Sequence, residues 1–173
     1  MIPTLAEFIR QFIVPGLALL PANMDDPRAR VQLLATHLQE DPENLAVQLG
    51  GGPAHGPWQF EGGPMSATAQ ILLHAGAQTA HVCDALGLPC DRQSIYGALA
   101  TNFVLAAACA RLNYWTDAHP LPALGDSQGA WDCYVRNWRP GRPRPEHWHA
   151  NYAAALAAVE AYAAVDSAPD SAT

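Results

Sequence analysis

The sequence contains no lysine, and charged residues of both signs together make up only 14% of the chain. Nine arginines stand against sixteen acidic residues in a chain of 173, so the formal net charge is −7. Binding to nucleic acid in bulk requires an excess of basic residues. The charge balance therefore argues against nucleic acid as a partner.

Metal-binding patterns are also missing from the sequence. The four cysteines form no CxxC pair and have no histidine at zinc-finger spacing. His37 and Glu40 have the i, i+3 spacing of helical metal ligands, but no third ligand accompanies them and no HExxH motif is present. We therefore expect no metal and no cofactor. The cysteines are expected to be reduced and structural. A disulfide between Cys83 and Cys90 is the alternative.

No apolar run is long enough to cross a bilayer. The longest one near the N-terminus, residues 12–22, is too short for a hydrocarbon core of ~30 Å. No cationic segment precedes it, and no convincing cleavage site follows. We expect a core helix here, and neither a signal peptide nor a membrane anchor.

Half of the residues are hydrophobic, with many Ala and Leu at helical spacing, which predicts an all-α fold. A single domain is expected over residues 1–165, followed by a disordered tail, 166–173. Asp26 with Pro27 and Ser66 are typical helix starts, and Pro15 is expected to end the first helix. The residues between 41 and 64 are rich in Gly and Pro and predict a long functional loop. The predicted helices cover residues 4–14, 26–40, 66–74, 77–86, 91–115, 127–138 and 146–165.

The segment 33–61 carries the strongest functional signal. An apolar helix delivers a carboxylate, Glu40, to its C-terminal end, and the Gly/Pro-rich loop closes on the turn Gly-Pro-Trp-Gln-Phe at 56–60. Helix packing would keep such an acid protonated, and Trp58 with Gln59 would hold a sugar ring against it. This is the arrangement that a glycosidase needs.

These motifs resemble those of the lysozyme-like superfamily, in the lytic transglycosylase and goose-type lysozyme branch, as found in small proteins of tailed phages and prophages. In that family a Glu-Ser-Gly pattern ends a core helix and a Gly-Leu-Met-Gln turn follows. Glu40 and the sequence Gly-Pro-Trp-Gln at 56–59 stand at matching positions. The stretch from Tyr134 to Gly141 loosely matches the family's Tyr-Asn-Ala-Gly stretch. Asp41 and Pro42 replace the usual Ser-Gly.

The resemblance implies a lysozyme-like helical domain with a long Gly/Pro-rich active-site loop, in which Glu40 is the catalytic acid/base. It would cleave the bond between N-acetylmuramic acid and N-acetylglucosamine in peptidoglycan. One carboxylate suffices for a transglycosylase, whereas inverting hydrolysis needs a second one at about 6.5–9.5 Å, for which Glu61 and Asp41 are the candidates. Phe60 is expected in the core. The predicted substrate-binding residues are Gln59, Trp58, Tyr134, Trp138 and Asn137, with Tyr134 and Trp138 as candidates for the far wall of the groove. Core packing is the alternative for Trp58, Tyr134 and Trp138.

The implied partners are peptidoglycan glycan strands and other phage virion proteins. Such a protein would be made in the bacterial host cytoplasm and act at the periplasmic cell wall, as an endolysin or carried in the virion. The alternative is a catalytically silent structural virion protein that retains the lysozyme-like fold, which the Asp41-Pro42 departure favours. An arginine cluster, RNWRPGRPRP, would contact peptide carboxylates, dock on an acidic neighbour or simply form a solvated loop.

Overall fold

The computed structural model describes residues 3–41 and 53–167, and helices dominate both ranges. The only β-structure in these ranges is an isolated antiparallel bridge between His55 and Phe60. The all-α prediction is therefore confirmed at the level of fold class. The α-helices are α1 (Leu5–Phe8), α2 (Val14–Ala18), α3 (Pro27–Glu40), α4 (Ala67–His74), α5 (Gly76–Ala85), α6 (Arg92–Ala98), α7 (Phe103–Trp115), α8 (Ser127–Trp138) and α9 (Pro145–Asp166).

Helix α7 lies at the centre of the core. Every residue from Leu105 to Tyr114 is buried, and helices α2, α3, α4 and α5 all pack against it. Small side chains allow this close packing: a Cβ atom at Gly16 of α2 would lie 2.7 Å from the Cβ atom of Ala107. Helix α3 packs along α9 on another side of the core. The C-terminal end of α3 is tied to α9 by the hydrogen bond from Asn151 to Gln39 and to α8 by the hydrogen bond from Tyr134 to Glu40.

The N-terminal helix begins as predicted, but it does not end at Pro15. Thr4 caps it in a capping box with Glu7. The chain then widens into a π-helical turn, Ile9–Ile13, and resumes as α2 through Ala18. Pro15 occupies the first turn of α2, where the missing N–H costs little. The predicted stop was wrong because the π turn places the proline at the start of a new α-helical segment.

The predicted helix over residues 91–115 is two helices, α6 and α7, with a break between them. Asn102 caps α7, and its side-chain oxygen accepts a 2.9 Å hydrogen bond from the Leu105 N–H. The carbonyl of Leu99, in the break, lies against Gly56, where a Cβ atom would approach it to 2.4 Å. The apolar spacing runs through the break, so periodicity alone could not place it.

The remaining predicted helices are confirmed to within one residue at each end. Asp26 and Ser66 cap α3 and α4 as expected, and both side chains accept backbone N–H groups. Helix α9 extends one residue into the predicted tail, and residues 168–173 lie outside the described ranges, as do residues 42–52 of the predicted loop. Within the described ranges, none of the helices is long and apolar enough to cross a membrane.

Candidate active site

Helix α3 ends at Glu40, and its last turn is fixed on the protein interior. The Asp41 N–H closes the helix on the His37 carbonyl at 2.8 Å. The His37 ring is buried, stacks on Phe8 at a centroid distance of 4.1 Å, and hydrogen-bonds the carbonyl of Pro57 through Nδ1 at 3.0 Å. The backbone that carries Glu40 is thus held by the core beneath it.

The Glu40 carboxyl accepts a hydrogen bond from a tyrosine that is distant in sequence. The Tyr134 hydroxyl, on α8, donates to Glu40 Oε1 at 2.6 Å. Burial raises the pKa of Glu40 above its ordinary value, and the negative charge of Glu61 adds to this. The Tyr134 hydrogen bond and the positive charge of Arg144 act in the opposite direction but do not cancel the effect of burial. Glu40 therefore has the environment of a carboxylic acid that retains its proton at higher pH than usual.

The turn at 55–60 packs onto α3 through its backbone and its tryptophan. His55 and Phe60 exchange two 2.8 Å backbone hydrogen bonds, and Gly56 and Gln59 adopt positive φ angles of 74° and 50°. The Trp58 side chain is 0% exposed, and its indole N–H donates to the Leu33 carbonyl at 2.8 Å. The prediction that Trp58 holds a sugar ring is therefore wrong, because its indole is enclosed in the core. The expectation that Phe60 is buried is confirmed.

Glu40 lines a cleft of about 950 Å³, at the upper end of the range for small-molecule sites. Its walls carry both carboxylates and arginines. Six of the eight predicted site residues line this cleft: Glu40, Asp41, Gln59, Glu61, Asn137 and Trp138. All four arginines of the RNWRPGRPRP cluster line it too: Arg136, Arg139, Arg142 and Arg144.

Tyr134 does not form the far wall of the cleft as predicted. Its side chain is 2% exposed and stacks on Trp148, so its ring is unavailable to a ligand. Its role in the site is the hydrogen bond to Glu40. Trp138 and Asn137 do line the cleft, and each is tied to the protein: the Trp138 indole N–H donates to the Trp58 carbonyl at 3.0 Å, and the Asn137 amide donates to Asp117 at 2.8 Å.

The site contains two features that the sequence interpretation missed. Trp115, at the end of α7, lines the cleft and is 42% exposed, so its indole is accessible where that of Trp58 is not. Arg144 is fixed beside Glu40 through Gln39: its Nη2 donates to the Gln39 carbonyl at 2.6 Å, and the Gln39 amide donates back to the Arg144 carbonyl at 3.0 Å. No local sequence signal joins residues 105 positions apart.

The arrangement suits proton transfer to a bound ligand. A partly buried carboxylic acid, an accessible indole, an amide at Gln59 and several guanidinium groups share one cleft. In the described part of the chain, no three His, Cys, Asp or Glu side chains are grouped so as to hold a metal ion. Comparisons of the chain with protein-family models, curated proteins and solved structures give no match.

Proposed function

We propose that this protein is a phage peptidoglycan-degrading enzyme that cleaves the bond between N-acetylmuramic acid and N-acetylglucosamine, with Glu40 as its catalytic acid/base. The observation that carries the proposal is the Glu40 carboxyl itself. It lines the large cleft, burial raises its pKa, and the Tyr134 hydroxyl fixes one of its oxygens at 2.6 Å. A general acid for glycoside cleavage needs this combination of access, proton retention and fixed orientation.

In the first step Glu40 transfers its proton to the glycosidic oxygen as the bond from that oxygen to the anomeric carbon breaks. The departing sugar leaves as a neutral alcohol, and positive charge develops at the anomeric carbon. Glu40 is now a carboxylate, which the Tyr134 hydroxyl and the nearby positive charge of Arg144 stabilise. The same two groups that oppose proton retention in the resting state therefore favour proton release in this step.

The second step has two routes that differ in their need for another carboxylate. In the transglycosylase route the 6-hydroxyl of the muramic acid attacks the anomeric carbon and gives its proton to Glu40. This attack closes a 1,6-anhydro ring on the sugar. In inverting hydrolysis a second carboxylate activates a water on the opposite face of the sugar. Glu61 is exposed and lines the cleft, whereas Asp41 is 5% exposed. Glu61 is therefore the better candidate for that base.

Substrate positioning would come from the polar and aromatic groups along the cleft. The Gln59 backbone has a left-handed conformation, and the side-chain amide of Gln59 donates a hydrogen bond to the Gly56 carbonyl at 2.9 Å. The side chain therefore has a defined position from which to hydrogen-bond an acetamido group. The exposed indole of Trp115 suits the apolar face of a sugar ring. We propose that the enzyme acts at the periplasmic wall, either as an endolysin or as a virion component.

Clearing of outer-membrane-permeabilised Gram-negative cells tests the proposal, with mass spectrometry of the released muropeptides. The native protein is compared with Glu40→Gln and, as a matched carboxylate control, Glu61→Gln. Clearing that is lost in Glu40→Gln and kept in Glu61→Gln, with anhydro products, supports the transglycosylase route. Loss in both variants, with reducing-end products, supports hydrolysis. If the native protein does not clear cells, or if Glu40→Gln clears as well as native, the proposal fails. The catalytically silent virion protein would then be the better interpretation.

A further inference from the structure

A second cavity adjoins the cleft and has a buried guanidinium in its wall. Its volume is about 390 Å³, and Trp115, Asp117 and Ala118 belong to the walls of both cavities. Arg111, on α7, lines only the second cavity and is 5% exposed. The buried guanidinium of Arg111 therefore lies in a cavity that borders the cleft.

The Arg111 guanidinium has no acidic partner within 4 Å among the residues that the structure describes. Its Nε–H donates to the Met24 carbonyl at 2.7 Å, and its Cζ lies 5.4 Å from the centroid of the Trp115 ring. These contacts orient the group without neutralising it. Since arginine keeps its charge in proteins, burial without a carboxylate is costly.

The two carboxylates in the same cavity wall are already engaged by other groups. Asp26 accepts from Arg28 at 2.7 Å and caps α3 through the Ala29 N–H. Asp117 accepts from Arg136 at 2.7 Å, and from Asn137 and His119 as well. Arg111 thus forms no close ion pair with a described carboxylate, and Asp26 and Asp25 act on its charge only at longer range.

We propose that the second cavity is an anion subsite, in which Arg111 binds a carboxylate of the peptide that is attached to the glycan strand. The choice of the peptide as the ligand that carries this carboxylate rests on the proposed function. A guanidinium matches a carboxylate in shape and charge and forms strong charge-assisted hydrogen bonds with it. Arg111 lines only the second cavity and Glu40 only the cleft, so binding of the peptide carboxylate and the chemistry at the glycan involve different residues.

Binding is measured directly by NMR, with the Trp115 indole N–H signal as reporter and Trp115→Phe for its assignment. The probe is N-acetylmuramyl-L-alanyl-D-isoglutamine, which carries one free carboxylate, and its control is the same compound with that carboxylate amidated. The acid should shift the signal saturably, and the amide should bind at least about tenfold more weakly, since a charge-assisted hydrogen bond is lost.

Two variants test the role of Arg111. Arg111→Gln removes the cation, and Asn23→Asp places a carboxylate in the wall of the same cavity while Arg111 stays in place. Both should weaken binding of the acid by about tenfold or more. The exposed Arg10→Gln is the charge-matched control and should bind as native does. If Arg111→Gln fails to fold, as judged by circular dichroism, the affinity of Asn23→Asp for the acid tests the proposal by itself.

Equal binding of acid and amide, no shift with the acid, or native affinity in a folded variant would each overturn the proposal. The outcome is independent of catalysis, because the probe contains a single sugar and therefore no glycosidic bond between two sugars that the enzyme could cleave. If the native protein fails to clear cells but prefers the acid to the amide, the anion subsite stands and the glycosidase proposal falls.

Discussion

Replacing Tyr134 by Phe isolates the group that most directly opposes proton retention by Glu40. The substitution removes one hydroxyl and leaves the ring, which stacks on Trp148 in a buried position. The 2.6 Å hydrogen bond to Glu40 Oε1 is lost, while burial of the carboxyl is unchanged. Because this bond lowers the pKa of Glu40, its loss should raise the pKa further above the ordinary value.

The size of the effect follows from the difference between the two protonation states. A hydrogen bond to a charged acceptor contributes about 1.5–3 kcal/mol, and one to a neutral acceptor about 0.5–1.5 kcal/mol. The Tyr134 hydroxyl donates to either form of Glu40, so only the difference, about 1–1.5 kcal/mol, changes the proton affinity. This corresponds to about a tenfold lower acid dissociation constant in Tyr134→Phe.

The assay is an NMR titration of the glutamate side-chain carboxyls in ¹³C-labelled protein, with Glu40→Gln to assign the Glu40 signal. The matched control is Tyr152→Phe, which removes a hydroxyl that accepts the Gly125 N–H at 3.0 Å and is not among the groups that shift the pKa of Glu40. Glu40 should titrate at higher pH in Tyr134→Phe and as in native protein in Tyr152→Phe. An unchanged or lowered Glu40 pKa in Tyr134→Phe would refute the assignment of Tyr134 as a group that lowers the proton affinity of Glu40.

Two further predictions concern stability. Gly56→Ala should lower the free energy of unfolding, measured by urea titration, by about 2–4 kcal/mol, since its φ is 74° and a Cβ atom would lie 2.4 Å from the Leu99 carbonyl oxygen. The control is Gly63→Ala, whose added Cβ atom meets no atom within 4 Å. It should change the free energy of unfolding by less than about 0.5 kcal/mol in the same titration. Asp117→Asn should destabilise the protein by about 1–3 kcal/mol at pH 7, because it weakens the hydrogen bonds that Asp117 accepts from the Arg136 guanidinium, Asn137 and His119. Although burial opposes the shift, those hydrogen bonds hold the pKa of Asp117 well below 3.8, so the stabilisation is complete well above that pH and is lost progressively as the pH falls from 3.8 towards the lowered pKa. Thermal unfolding at pH 7 and pH 3 should show the difference between native and variant shrinking at the lower pH, and an equal difference at both would contradict it.

The parts of the fold that local sequence signals encode were predictable. Side-chain caps at Asp26 and Ser66 and the proline after Asp26 identify the starts of α3 and α4, because these signals act within one helical turn. The two errors both arise from tertiary packing. The π turn before Pro15 and the break before Asn102 fit the chain around α7 and around the turn at Gly56, and neither leaves a signal in apolar spacing.

In the candidate site, too, the features encoded by local sequence were predictable and those that depend on long-range packing were not. The sequence indicated which acid to consider, Glu40, because a helix that ends in a carboxylate before a Gly/Pro-rich loop is a local pattern. It could not indicate what controls that acid, since Tyr134 is 94 residues away and Arg144 is held through Gln39 across the contact of α3 with α9. The misassignment of Trp58 has the same origin: only the packing of the turn on α3 decides whether an indole faces the cleft or the core. A motif therefore selects a chemical group, and long-range packing gives that group the proton affinity and the neighbours on which its chemistry depends.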